Sequence, residues 1–371
     1  MVTQPARRES GKTHAHQLLD ILAASTSVVL LTANLASDAP VRKDHDVVEL
    51  TSRGTGDSLL VTAYRFLWHQ LLMASTIRRR EEQVVLFFGA TAYILPILVA
   101  KTTGKTVIVE PRGDVPLSLR LTWEKQIPRP LARALAGLVS LLEHSGYIVA
   151  DAIVAYTPSM ADELGLNRYA HKLHTDGARY VDVDHFQPEG PFEARPLTVG
   201  YLGRLDVEKG IPTLVDVVKR LPEEIGFRFV GDGDYREVVE RELADELESG
   251  RVELTGWVDH DEVPAELNQM RLLLLTSEPT EGLPTAILES FACGTPVYAT
   301  SVSGIPDVVR DSDTGFLMDE LDSAVVAGTV AQAVETGTLA EMSERCREMA
   351  ETGFNFEAAV KRYREILASV V

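Results

Sequence analysis

The chain is poor in cysteine, poor in lysine and free of long apolar runs, and each shortage removes a class of protein. Cys293 and Cys346 stand alone, without metal-ligand or redox spacing, which excludes a disulfide scaffold and a zinc-finger framework. The longest apolar stretches, 28–31 and 93–100, are the size of a strand or a core helix and fall well short of a membrane span. The opening residues, MVTQPARRESGKTH, hold no apolar signal region, so a reduced, cytoplasmic chain is expected. Nine lysines and twenty-seven arginines face 55 acidic residues, for a net charge of −19. That balance leaves no basic face for a general nucleic-acid binder. Heavy acid with scarce lysine fits a halophilic cytoplasm, where salt near 1 M screens self-repulsion within about 3 Å. An acidic protein from a GC-rich genome shares the same pattern. Either way, an anionic substrate needs positive charge placed locally.

What is present is a long α/β pattern. At 371 residues and 45% hydrophobic content, the chain has material for two folded domains. Short apolar runs at 27–32, 47–50, 84–88, 106–110, 152–156, 197–202, 226–230, 251–254, 272–276, 297–300 and 315–318 read as strands buried on both faces of parallel sheets. Helical periodicity fills the gaps, for example at 59–79, 92–101, 211–220, 235–249 and 284–293, and two helical patterns close the chain at 338–351 and 356–370. The order implies doubly wound α/β units. The stretch HFQPEGPFEARPL (185–197) breaks the pattern with proline, glycine and charge. The expected domains are therefore 1–190 and 191–355, with 356–371 a terminal helix able to pack back on the first. Two Rossmann-like halves imply a cleft between them, with ligands at the carboxyl ends of the strands.

The residues suited to chemistry fall just past those strands. In VGYLGRLDVEKGIPTL (199–214), Arg204 and Lys209 share one loop before a helix that Pro212 helps to start. A guanidinium fork and a compact ammonium suit a diphosphate, although two exposed loop charges would look the same. RFVGDGDYREV (228–238) puts Gly231 in a turn that could approach a ligand closely. Past the strand at 251–254, Trp257 and Val258 could meet a base, or Trp257 could simply be core. In EPTEGLPTAILESFACGTPV (278–297), Pro284 and Gly294 mark a helix start and stop. The amides near Gly282, Leu283, Pro284 and Thr285 form an anion site by geometry and dipole. Glu289, four residues beyond Thr285, could accept hydrogen bonds from a ribose diol. Glu281 would hang over whatever is attached to the phosphate. A carboxylate so close to an anion is costly unless it binds sugar hydroxyls.

The ordered blocks GRLDVEKG (203–210), GDGD (231–234), TGWV (255–258), EGLPTAILE (281–289), ACGTPV (292–297) and SGIPDVV (303–309) resemble the carboxyl-terminal half of family 4 retaining glycosyltransferases of the GT-B fold. Glu281 and Glu289 match that family's EX7E hallmark. The likeness is close over 197–318 and looser over 84–190. It implies a nucleotide-diphosphate sugar as donor, with no cofactor and no obligatory metal. It implies Arg204 and Lys209 on the diphosphate, Glu289 on the ribose, Glu281 on the transferred sugar, and Gly282, Leu283 and Pro284 shaping the diphosphate turn. On the acceptor side it points to Gly11 as the loop glycine. Where many members carry a histidine, this chain has Pro111-Arg112-Gly113-Asp114, so Arg112 or Asp114 would occupy that region. The first strand, with only Met1 and Val2 before TQPARRESGKTHAHQLLD, reads as stunted.

Two other functions remain open at this level. One is a metal-dependent GT-A transferase using one of the Asp-x-Asp pairs at 182–184, 232–234 or 311–313. The other is a catalytically weak GT-B subunit that binds sugar nucleotide and regulates a partner. The segment 64–80 suggests the acceptor. Tyr64, Phe66, Leu67, Trp68, Leu71, Leu72 and Ile77 precede Arg78-Arg79-Arg80. Such a helix could lie on an anionic membrane face, giving a lipid-linked acceptor, or serve as core with a basic carboxyl end.

Overall fold

Runs such as VVLFF, TVIVE and LLLL are buried on both faces almost throughout, and that property places them in the middle of parallel sheets. The computed structural model describes the chain except residues 5–9, 55–58, 178, 279–281 and 371. It forms two compact units, Met1–Arg179 with Ala359–Val371, and Tyr180–Ala358. The second unit thus begins at Tyr180 rather than 191, and the chain re-enters the first unit at Ala359.

The first unit holds seven strands: β1 (Val2–Thr3), β2 (Val29–Thr32), β3 (Asp46–Glu49), β4 (Val84–Phe88), β5 (Thr106–Glu110), β6 (Ala152–Val154) and β7 (Leu173–His174). Their order is β3-β2-β1-β4-β5-β6-β7, all parallel. β1 is short, as expected, yet it is central: Val2 pairs with both Leu31 and Phe87. The direction of winding reverses between β1 and β4. Phe87, Val107, Val109, Ile153 and Ile97 make a dry core with the helix Leu59–Arg79, which contributes Met73 and Ile77.

The second unit holds β8 (Thr198–Leu202), β9 (Gly226–Val230), β10 (Val252–Gly256), β11 (Leu272–Leu275), β12 (Val297–Thr300) and β13 (Gly315–Met318). Their order is β10-β9-β8-β11-β12-β13, again all parallel, with the reversal between β8 and β11. The fold is therefore α/β with two Rossmann-like domains. The single-sheet GT-A alternative fails on this architecture.

Candidate active site

In an open parallel sheet the two crossovers leaving adjacent strands at the reversal diverge to opposite faces and leave a crevice at the carboxyl edge. In the second unit that edge carries the loop after β8 and the loop after β11. The two are stitched together. Thr276 Oγ1 donates to the carbonyls of Lys209 and Gly210, at 3.0 and 3.2 Å, and Glu278 N donates to the Glu208 carbonyl at 3.0 Å. Gly210 makes this approach possible. Its φ is 72°, and a Cβ there would lie 2.2 Å from the Thr276 carbonyl oxygen. Gly231, after β9, comes as close to the β8 end: a Cβ would lie 2.0 Å from the Gly203 carbonyl oxygen at a φ of 132°.

Lys209 is buried, with its backbone in a single helical turn, Val207–Lys209. Arg204 is half-exposed and already paired, with Asp206 at 2.9 Å and Glu208 at 2.6 Å. These carboxylates were not anticipated from the sequence. They hold the guanidinium at the loop, and an incoming anion would have to compete with them.

Past β11, Gly282 and Leu283 are buried, and Gly304 N donates to the Gly282 carbonyl at 2.7 Å. The helix starts at Thr285, with Pro284 as its extended N-cap rather than its first residue. The N-cap, being proline, has no side chain of its own to bond the first amides of the helix. Thr285 and Glu289 are both part-buried, one turn apart on this helix. Glu281 lies outside the described residues. Trp257, at the end of β10, is 69% exposed, which removes the core reading. Val258 beside it is part-buried. Asp232 is engaged by Gly233 N and by Arg236 at 3.2 Å, so this Asp-x-Asp begins in a local turn network.

The first unit's carboxyl edge differs. Gly11 falls within the helix Ser10–Ala23, so it is not a loop glycine. A glycine costs little in a first turn, where the amides have no intrahelical partner anyway. Asp114 caps the helix Val115–Glu124, its Oδ1 accepting from Leu117 N at 2.7 Å. Arg112 lies 5.3 Å from the Phe88 ring centroid and reaches His14 Nδ1 at 3.1 Å. Next to it is a cluster that the sequence reading missed. Glu110, the last residue of β5, is fully buried and accepts a hydrogen bond from the Tyr363 hydroxyl. Arg179 stacks on Tyr156 at 4.4 Å and is also buried. Among the described residues, Glu110 Oε1 and Arg179 Nε and Nη1 have no hydrogen-bond partner. Burial raises the Glu110 carboxyl to about 8, against the opposing pull of Tyr363, Arg179 and Arg112. Its only signal in sequence is an acid ending an otherwise apolar strand. A cavity of about 520 Å³ opens at the other edge of this sheet, beside Met1, Val84 and Arg364. It shares no residue with these loops.

Comparison with known proteins agrees with this fold. Residues 182–353 match the family model described as glycosyl transferases group 1. The chain is 32% identical over 225 residues to the lipopolysaccharide core biosynthesis glycosyltransferase LpsE of Rhizobium meliloti, covering 59% of this chain and 64% of that protein. It is 30% identical over 206 residues to the putative colanic acid biosynthesis glycosyltransferase WcaL of Escherichia coli, covering 51% and 50%. The chain thus spans half to just under two thirds of the length of these curated relatives. The crystal structure of Anabaena Alr3699/HepE in complex with UDP and glucose superposes with a TM-score of 0.73 over 99% of both chains, at 15% identity. The fold is that of GT-B proteins. Among the described residues, no helix is long and apolar enough to cross a membrane.

Proposed function

We propose that this chain is a retaining glycosyltransferase of family 4, moving a sugar from a nucleotide-diphosphate donor to an acceptor hydroxyl in cell-surface glycan assembly. The carrying observation is the junction at the second sheet's reversal, where the Lys209 loop is hydrogen-bonded to the loop that leads into the helix Thr285–Ala292. The names of the relatives, LpsE and WcaL, support the pathway class. Lys209, Arg204 and the amides of Gly282, Leu283 and Thr285 face the charge that grows on the leaving diphosphate as its bond to the anomeric carbon breaks. Arg204 exchanges Asp206 and Glu208 for phosphate oxygens. Glu289 takes the ribose, Glu281 the transferred sugar, and Trp257 with Val258 the base. Gly231 keeps the adjoining turn close to the ligand. The diphosphate can accept the acceptor proton, so the transfer requires neither a cofactor nor a metal.

A screen of sugar nucleotides with the purified chain tests this reading. Turnover is expected with one of them, and Lys209→Ala should lower the rate at saturating donor by about 10²-fold. Nucleotide binding without any turnover would favour a donor-binding subunit instead.

The acceptor is a lipid-linked sugar at the cytoplasmic leaflet. What supports this is the helix Leu59–Arg79, which exposes Tyr64, Leu67, Trp68 and Leu71 along one stripe while burying Met73 and Ile77. Arg78 and Arg79 end it, whereas Arg80 is paired with Glu82. Wild type should sediment with anionic liposomes, and replacing the three arginines with glutamine should weaken this at low salt. Wild type remaining in the supernatant would leave a soluble acceptor.

A further inference from the structure

One group of side chains in the first unit takes no part in the proposed transfer. His16 and Asp20 stand four residues apart on the helix Ser10–Ala23, and therefore on one face. The short helix Val41–Asp44 ends against that face and delivers Asp44 and His45. His45 Nε2 lies 2.8 Å from Asp20 Oδ1. His16 Nε2 lies 3.8 Å from that same oxygen and 3.2 Å from Asp44 Oδ2. One ligand atom each from His16, Asp20 and His45 falls within 4.8 Å of the others.

These separations are those of a coordination shell. With bonds of about 2.0–2.1 Å, the ligand atoms of a tetrahedral zinc site stand roughly 3.3 Å apart, and the His45–Asp20 and His16–Asp20 separations of 2.8 and 3.8 Å lie on either side of that value. Burial is graded in a way that permits loading. The His45 side chain is 7% exposed, His16 26%, and Asp20 33%.

We infer that His16, Asp20 and His45 bind a divalent transition cation, zinc being a good match to two imidazoles and a carboxylate. The ligands come from two separate segments, so the site is a structural tie. It fastens the helix Ser10–Ala23 to the corner that leads into β3. The cation lies among residues separate from those assigned to the donor, and the inference does not depend on the transferase reading.

The test uses the tag-free full chain, stripped with chelator and titrated with zinc against a chromophoric competitor. One equivalent should bind, and cobalt in its place should give the visible bands of a tetrahedral centre. Zinc at a hundredfold excess over its dissociation constant should raise the melting temperature by on the order of 5 °C. His16→Gln with His45→Gln should abolish all three effects. The double change at His185 and His260, whose rings lie 6.2 Å apart in the second unit, should leave them intact. Because His45 is buried, His16→Gln alone is the decisive variant should the pair fail to fold, with circular dichroism verifying its fold. Zinc binding equal in His16→Gln and wild type, or a melting temperature that zinc does not move, would overturn the site in favour of two His–Asp ion pairs.

Discussion

Both sheets reverse their winding, but their carboxyl edges are built from different materials. In the second unit, backbone meets backbone: Gly210 and Gly231 let neighbouring loops approach until a single Cβ would collide with a carbonyl oxygen. In the first unit, side chains fill the corresponding edge, with Glu110, Tyr363, Tyr156 and Arg179 buried together past β5 and β6. A backbone edge with an uncapped helix start suits an anion of fixed shape, because amides lose no rotamer freedom on binding. A side-chain edge can change its charge, because a buried carboxyl there is poised to gain or lose a proton.

The contrast breaks most severely at a glycine. Gly231→Ala puts a methyl group 2.0 Å from the Gly203 carbonyl oxygen at a φ of 132°, so the β8 and β9 ends must separate. A loss of about 3 kcal/mol or more is expected by chemical denaturation. Gly104 in the first unit has a comparable left-handed φ of 79° but nothing within 4 Å of its Cβ position. Gly104→Ala should therefore cost only about 1 kcal/mol. Equal losses at the two positions would show that backbone angle, not close approach, governs both.

The next effect sharpens the donor edge itself. Glu289→Ala should weaken binding of free nucleotide diphosphate by about tenfold, the value of one lost hydrogen bond to a buried hydroxyl pair. Glu281→Gln should leave that binding nearly unchanged and lower sugar transfer. Calorimetry with the nucleotide diphosphate reads the first difference, and turnover reads the second. Equal binding losses with a lowered melting temperature in both would assign the two glutamates to helix capping and helix surface instead.

Much of the second unit was legible in the sequence, because parallel strands buried on both faces announce themselves as short apolar runs. β9, β12 and β13 fall on the expected residues, and so do β4 and β5 in the first unit. β1 and β7 have two residues each, too few for any periodicity, and are strands only because neighbours pair with them. The helix expected over 235–249 is broken at Leu243, which turns inward at zero exposure. Arg204, Lys209 and Glu289 were legible as residues of interest, whereas the pairing of Arg204 with Asp206 and Glu208 depends on rotamers. The Glu110 cluster and the His16 set escaped for one reason. Each joins residues far apart in the chain, 253 positions in the case of Glu110 and Tyr363.

The smallest effect expected at neutral pH belongs to Glu110→Gln, and its value lies in its pH dependence. In the folded chain burial lifts this carboxyl to about 8, while an unfolded chain loses the proton near its ordinary value of 4.5. Between those two points the folded state holds a proton that the unfolded state has released. Raising the pH through that window therefore favours unfolding, and above about 8 the slope vanishes because both states are ionised. Glutamine keeps an acceptor for the Tyr363 hydroxyl and carries no proton to lose. The melting temperature of Glu110→Gln relative to wild type should accordingly rise from about pH 5 to about pH 9, by on the order of 5 °C. Glu143, raised by burial to about 7 beneath Thr91, titrates in the same window but is common to both proteins and cancels in the difference. The groups facing Glu110 decide the sign. Arg179 and Arg112 favour its ionised form, and Tyr363 and Tyr156 share its dry pocket. A gap that stays constant with pH would mean that the two arginines hold Glu110 ionised throughout, making the first edge a fixed ion cluster rather than a switchable one.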